Sequence, residues 1–264
     1  MNRSIQARTE LKLLDPSATL MPIDGSTLRL KPQLCLAIGL AAFLPFAPFV
    51  DYTVAMWFSE DPLPGDLLKA LHLCEIFAHG VGIMLILIGL ACLVPSSRWY
   101  LPRIAAIAYG SGAIVTLIKM FVTRPRPNQL LTNAVGSDGP WRWNIDWMLE
   151  RLTVDDESFR SFPSGHAATA VGLAVGLSLL FPRGRYLFWF AAVMASAQRL
   201  HAFAHYFSDV LAGWIIGLTW SAVCLHPRLL GGLFSRFEPR PETWSQGGLS
   251  TGERTTYPPN QQAA

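Results

Sequence analysis

Residues 161–180 read "SFPSGHAATAVGLAVGLSLL", a polar turn that runs straight into an apolar stretch. Pro163 has no backbone N–H to extend a preceding helix, and Gly165 accepts dihedrals that other residues avoid. Ser164 is well suited to cap a helix beginning "HAATAVGLAVG". A helix start of this kind presents free N–H groups and the positive end of a dipole, a natural seat for an anion. Capping explains the Ser-Gly pair but not His166, which falls in the first turn beside that seat. The stretch is either the capped start of a buried helix or one wall of an anion site. The sequence around it decides.

The chain has 264 residues, of which 51% are hydrophobic and only 15% charged. A soluble domain carries about a quarter charged residues, so the balance favours a membrane protein. The mean hydropathy of +0.32 agrees. A net charge of +3 gives no reason to expect nucleic acid as a partner. Cys35, Cys74, Cys92 and Cys224 show no metal-ligand spacing and read as small buried hydrophobes.

Six apolar blocks follow one another at roughly 34–50, 76–94, 104–122, 164–181, 186–203 and 208–225. Some have charge-free cores nearer to fifteen than to the roughly twenty residues that a span needs. A single block of that length would suit a buried core helix; six in succession predict an all-α, six-helix transmembrane bundle. Residues 1–33 read as a polar cytoplasmic tail, 34–228 as the membrane domain, and 229–264 as a second cytoplasmic tail, disordered towards its end. Arg98, Arg103, Arg183, Arg185 and Arg228 lie in short links on one side, which the positive-inside rule assigns to the cytoplasm. The loop at about 124–163 then faces outward, although it holds Arg124, Arg126, Arg142, Arg151 and Arg160. Arginines on the disfavoured side call for a function.

Three clusters fall on that outer side. In "KMFVTRPRP", Lys119 and Arg126 are seven residues apart, and seven steps of about 100° nearly return a helix to the same face, an approximate geometry because Pro125 and Pro127 are expected to stop the helix there. Snorkelling at the membrane edge is the plain alternative. The second cluster is Ser164, Gly165 and His166. In the third, "QRLHAFAHYFSDVLAG", His205 and Asp209 have helical i, i+4 spacing, so Asp209 can take the Nδ1 proton and leave Nε2 as a nucleophile. A helix-stabilising pair would show the same spacing. Arg199 needs a turn between itself and His205 to join them. His201 is an alternative histidine, but no carboxylate follows four residues on. Together the clusters hold the parts for phosphoryl transfer by positioning and charge, without a metal or other cofactor.

Lys-x6-Arg-Pro (Lys119, Arg126, Pro127), Pro-Ser-Gly-His (Pro163 to His166) and Arg-x5-His-x3-Asp (Arg199, His205, Asp209) resemble the three signatures of the type 2 phosphatidic acid phosphatases. That superfamily also holds bacterial class A acid phosphatases and vanadium haloperoxidases. The resemblance implies that His205 attacks phosphorus, that Asp209 orients it, and that His166 is the general acid and base. It further implies that Lys119, Arg126, Ser164, Gly165 and Arg199 hold the phosphoryl oxygens. Arg124 lies outside the motif spacing and is expected to contribute only indirectly. Gln198 replaces the serine common before the third-motif arginine, and its amide can still donate to a phosphate oxygen.

The implied protein is an inner-membrane hydrolase of a lipid phosphate or pyrophosphate, with its site on the periplasmic side and no obligate protein partner. Transfer to a second lipid, or lipid binding or transport without turnover, would use the same inventory. "WRWNIDWMLERL" adds Trp143 and Trp147 one turn apart, read either as a short helix on the lipid surface or as packing of the loop on the bundle.

Overall fold

The computed structural model describes residues 30–61, 63–132, 136–145 and 157–239. The expectations for the two tails beyond these limits, and for Trp147, fall outside the described residues. In chain order the helices are α1 (Leu30–Phe43), α2 (Pro48–Ser59), α3 (Gly65–Cys74), α4 (Gly80–Leu93), α5 (Leu101–Lys119), the short α6 (Asn128–Leu131), α7 (Gly165–Leu180), α8 (Arg185–His201), α9 (Phe207–Leu225) and the short α10 (Leu230–Phe234). The strands β1 (Val122–Thr123) and β2 (Asn144–Ile145) form one antiparallel pair.

Each apolar block is helical, but the blocks are not six equivalent spans. By length and composition α5 and α9 can each cross a membrane. The pairs α1–α2 and α3–α4, bent by 83° and 71°, bring the number to four if each pair is one span. Pro48 at the start of α2 cannot continue the hydrogen-bond ladder of the turn before it, which places the first bend. Helix α7 is apolar but only 16 residues long, about 24 Å at 1.5 Å per residue and less than a hydrocarbon core.

That short helix is the centre of the molecule, packed against α5, α8 and α9. Every residue from Ala170 to Leu177 is buried, as a helix apolar on all sides requires. The packing is close because glycines line it. A Cβ on Gly213 would lie 2.4 Å from the Ser164 carbonyl oxygen, and one on Gly217 2.7 Å from that of Ala168. Small residues four apart let membrane helices approach backbone to backbone. The outer helices show the reverse pattern, exposing Ile38, Phe49, Leu93 and Leu187, while Asp51, Arg124 and Asp209 are buried completely. Apolar outside and ionic inside is an arrangement suited to lipid. Of the four cysteines expected inside, only Cys224 is buried; Cys35 and Cys92 face outward on this apolar surface.

Candidate active site

The three clusters meet at one end of the bundle. At the second, the Phe162–Pro163 peptide is cis, and Ser164 caps α7 by accepting from Ala167 N at 3.4 Å. The Ser164 N–H donates to the Asp209 carbonyl at 3.0 Å, which ties the start of α7 to the start of α9. His166 sits in the first turn of α7 with Arg199, His205, His79 and Lys119 near enough to act on its charge.

Two helical-face arguments are corrected by the chain's path. Helix α5 ends at Lys119 and the chain turns into β1, so Arg126 is not on a continuation of that helix. Arg126 is placed instead by its N–H donating to the Ser158 carbonyl at 2.8 Å. Its Nε is buried with no hydrogen-bond partner. Lys119 and Arg126 nonetheless converge, since both act on the charge of His205. Likewise His205 is not on α9, which begins two residues later. The turn required between Arg199 and His205 is present: α8 ends at His201 and Phe203 adopts a left-handed φ of 51°. A bulky residue held there is strained, a feature that collects at functional sites.

His205 is oriented by a group that spacing did not suggest. Its Nδ1 lies 2.7 Å from the Ser161 carbonyl oxygen. A carbonyl can only accept, so Nδ1 carries the proton and Nε2 keeps its lone pair. Asp209 Oδ2, expected to take that proton, is 3.8 Å from Nδ1. Oδ2 accepts instead from Ser161 Oγ at 2.5 Å and Tyr206 N at 2.8 Å. Asp209 therefore orients His205 at one remove, by holding the serine whose carbonyl holds the ring. Burial pushes the His205 pKa down to about 4, with Lys119 and Arg126 adding to the shift against the opposing pull of Asp209. The ring is neutral at physiological pH.

Behind this turn lies Arg124, the largest fully buried side chain. Its Nη1 donates to Asp209 Oδ1 and, at 2.7 Å, to Ser208 Oγ. Its Nη2 donates to Asp51 Oδ2 at 2.6 Å and the Pro140 carbonyl at 2.7 Å. Trp143 and Tyr206 each stack on the guanidinium at 4.3 Å. Asp51 closes the network by accepting from Ser208 N at 2.8 Å. Arg124 was expected to contribute indirectly; it is the hub that fixes the carboxylate behind His205. Trp143 is not helical but packs on Arg124 and, edge to face at 4.7 Å, on Phe162. These contacts fit the packing alternative, while the Trp143 side chain stays exposed.

On the opposite wall, Arg199 donates from Nη2 to Glu75 Oε1 and from Nε to Gln198 Oε1. The Gln198 amide is therefore turned onto Arg199, with Nε2 3.4 Å from His72 Nδ1, and not towards a phosphate seat. His201 stands apart, 3.6 Å from Asp61. Glu75, His79 and Asp51, like Ser161, are site-end residues that sequence spacing did not single out. Glu75 and His79 are four apart, a weak signal; Asp51 carries none beyond being an acid within an apolar block. Among the described residues, no group of three or more His, Cys, Asp or Glu gathers as a metal site.

The wall that results can receive a phosphate: cationic side chains from three segments, the free N–H groups of α7, and a neutral imidazole with its lone pair available. Residues 99–230, half of the chain, match the model of a family described as the PAP2 superfamily. A lipid A 1-phosphatase of Rhizobium johnstonii is 32% identical over 111 residues, which cover 42% of this chain and 41% of that protein. One from Rhizobium etli is 33% identical over 107 residues, covering 40% and 41%. The similarity thus spans about two fifths of the length of these relatives. No solved structure matches the chain.

Proposed function

The chain belongs to the PAP2 superfamily, and from that premise we propose that it is an integral-membrane lipid phosphate phosphatase working through a phosphohistidine, without a metal. The observation that carries this reading is the His205 ring, pinned through Nδ1 to the Ser161 carbonyl and within reach of the charges of Lys119 and Arg126. The buried Arg126 Nε, which has no protein acceptor, suits a phosphoryl oxygen.

In the first step Nε2 attacks phosphorus, and the N–P bond forms as the bond from phosphorus to the leaving oxygen breaks. His166, protonated once the anionic phosphate offsets the cations around it, gives that oxygen its proton. Lys119, Arg126 and Arg199, with Ser164 and the Gly165 N–H, hold the three equatorial oxygens. In the second step neutral His166 takes a proton from water as the water attacks phosphorus. The N–P bond breaks, phosphate leaves, and both histidines return to their starting states. Asp209, 3.8 Å from Nδ1, offsets the charge that His205 gains in the transition state.

The names of the two Rhizobium relatives make a lipid A 1-phosphate the first substrate to try. The site is assigned to the periplasmic face and both termini to the cytoplasm. In support, the arginine-bearing links and the site lie at opposite ends of α5, with Arg103 at its start and Lys119 at its end.

The test is a panel of lipid A 1-phosphate, phosphatidic acid, phosphatidylglycerophosphate and undecaprenyl pyrophosphate, given to the purified full chain in chelator. Phosphate release should be fastest from the lipid A phosphate, and turnover quenched in alkaline detergent, where a phosphohistidine survives, should leave phosphate on His205. Release with no labelled histidine would overturn the mechanism, as would loss in chelator that added metal restores.

A further inference from the structure

The segment "HLCEIFAH", residues 72–79, spaces His72, Glu75 and His79 three and four apart, the spacing of one helical face. It lies where α3 passes through a single tight turn, Glu75–Phe77, before the 71° bend into α4. The bend is docked on the bundle. Thr169 Oγ1 of α7 donates to the Ala78 carbonyl at 2.7 Å, and Tyr109 Oη of α5 donates to the Gly80 carbonyl at 2.7 Å. Phe77 and Ala78 are buried, and a Cβ on Gly82 would fall 1.9 Å from the Ile76 carbonyl oxygen. The three polar side chains each face the end of the bundle that carries the site: His72 meets Gln198, Glu75 pairs with Arg199, and the His79 ring centres 6.0 Å from that of His166.

Arg199 has a reason to need a partner. Arg126 is close enough for its positive charge to act on Arg199, so the two guanidiniums repel while both serve one anion. With no anion bound, an unheld Arg199 would relieve that repulsion by turning towards solvent. Glu75 and the Gln198 amide take the edge made by Nε and one Nη2 hydrogen. Three of the roughly five donors that a guanidinium carries are left over, all on the side away from Glu75.

We infer that Glu75 is a positioning residue for phosphate recognition: it holds Arg199 ready, against the repulsion of Arg126, with its remaining donors free for the phosphoryl group. This rests on the phosphatase reading for its kinetic consequence, but not for its consequence in binding. Glu75 touches Arg199 and is assigned no contact with the reacting atoms.

The experiment compares the wild type, E75Q, E75D, R199A and E75Q/R199A as full-length protein in detergent. One arm measures kcat and KM on the best lipid phosphate, and the other measures binding of inorganic phosphate by calorimetry. Removing the charge in E75Q should weaken phosphate binding and lower kcat/KM by about 10-fold, the size of a lost charge-assisted contact. E75D, which keeps the charge, should recover most of the loss. In the R199A background, E75Q should have no further effect, because the residue acts through Arg199. A role confined to holding the bend would give equal losses with and without Arg199 and no rescue by E75D, and would overturn the inference. So would unchanged phosphate binding in E75Q. A wild type that binds phosphate but releases none from any lipid would sink the phosphatase reading while leaving the binding arm to decide the role of Glu75. A wild type that binds none would sink the role of Glu75 as well.

Discussion

Both ends of the bundle bury an arginine, and they do so in different ways. At the site end, Arg124 meets two carboxylates, a hydroxyl and a carbonyl between two aromatic rings. The groups come from α2, the long loop and the first turn of α9. At the other end, about 24 Å away along α5, Arg103 meets Glu238 at 2.7 Å and the Gly231 carbonyl at 3.2 Å. Arg103 Nε and Glu238 Oε1 find no partner. A buried ion pair repays its desolvation only when its remaining hydrogen bonds are made. The Arg124 network is closed and dictates where Asp209, Ser161 and hence His205 stand. The Arg103 pair is incomplete and fastens one terminal segment. Ionic burial orders chemistry at one end and fixes chain at the other.

The largest expected effect lies in the chemistry that the closed network serves. H205A should cut phosphate release on the order of 10^4-fold or more, as removal of a nucleophile does, in protein that circular dichroism shows to be folded. Retained turnover would show that the network is built around something else. Next comes the network itself. D51N leaves Arg124 with one carboxylate, and breaking such a buried pair costs about 3–5 kcal/mol. Melting in detergent should drop strongly, and the surviving folded fraction should turn over slowly because Arg124 is no longer held in place behind Asp209. E238Q at the other end, which leaves the buried Arg103 without its carboxylate, should also cost about 3–5 kcal/mol but leave kcat/KM of the folded fraction unchanged. Equal losses of kcat/KM from D51N and E238Q would erase the contrast.

The smallest effect concerns pH. Because burial lowers the His205 pKa to about 4, the ring proposed as the nucleophile stays neutral from pH 8 down to about pH 5. The acidic limb of kcat/KM in the wild type should therefore show no loss from protonation of His205 near the ordinary histidine value of about 6.5. The same shift has a stability sign. Between about pH 6.5 and 4 the unfolded chain binds a proton here that the folded chain does not, so this contribution falls as the pH is lowered through that window. Denaturation midpoints of the wild type and H205Q, followed over that range, should converge as the pH falls.

The difference between the two ends also separates what was legible in the sequence from what was not. Lys119, Arg126, Ser164, Gly165, His166, Arg199, His205 and Asp209 could be named from local patterns, because each sits in a short motif. Their geometry could not. Helical arithmetic assumed one continuous element across 119–126 and 205–209, and the chain leaves the helix in the first and has not entered it in the second. Asp51 and Glu75 find their arginines 73 and 124 residues away, and no spacing rule reaches that far. The apolar blocks foretold helices but not the bends, since a hydropathy run looks the same across a break.

Gly213 has a last consequence. Where α9 meets the Ser164 carbonyl, backbone faces backbone, with only the Ala167 methyl beside it. Side chains can change rotamer to fit a guest, but two touching backbones cannot. The spacing between the cap of α7 and the start of α9 is therefore a fixed gauge, set within the bundle. G213A would act as a shim, widening that gauge without touching any charged group.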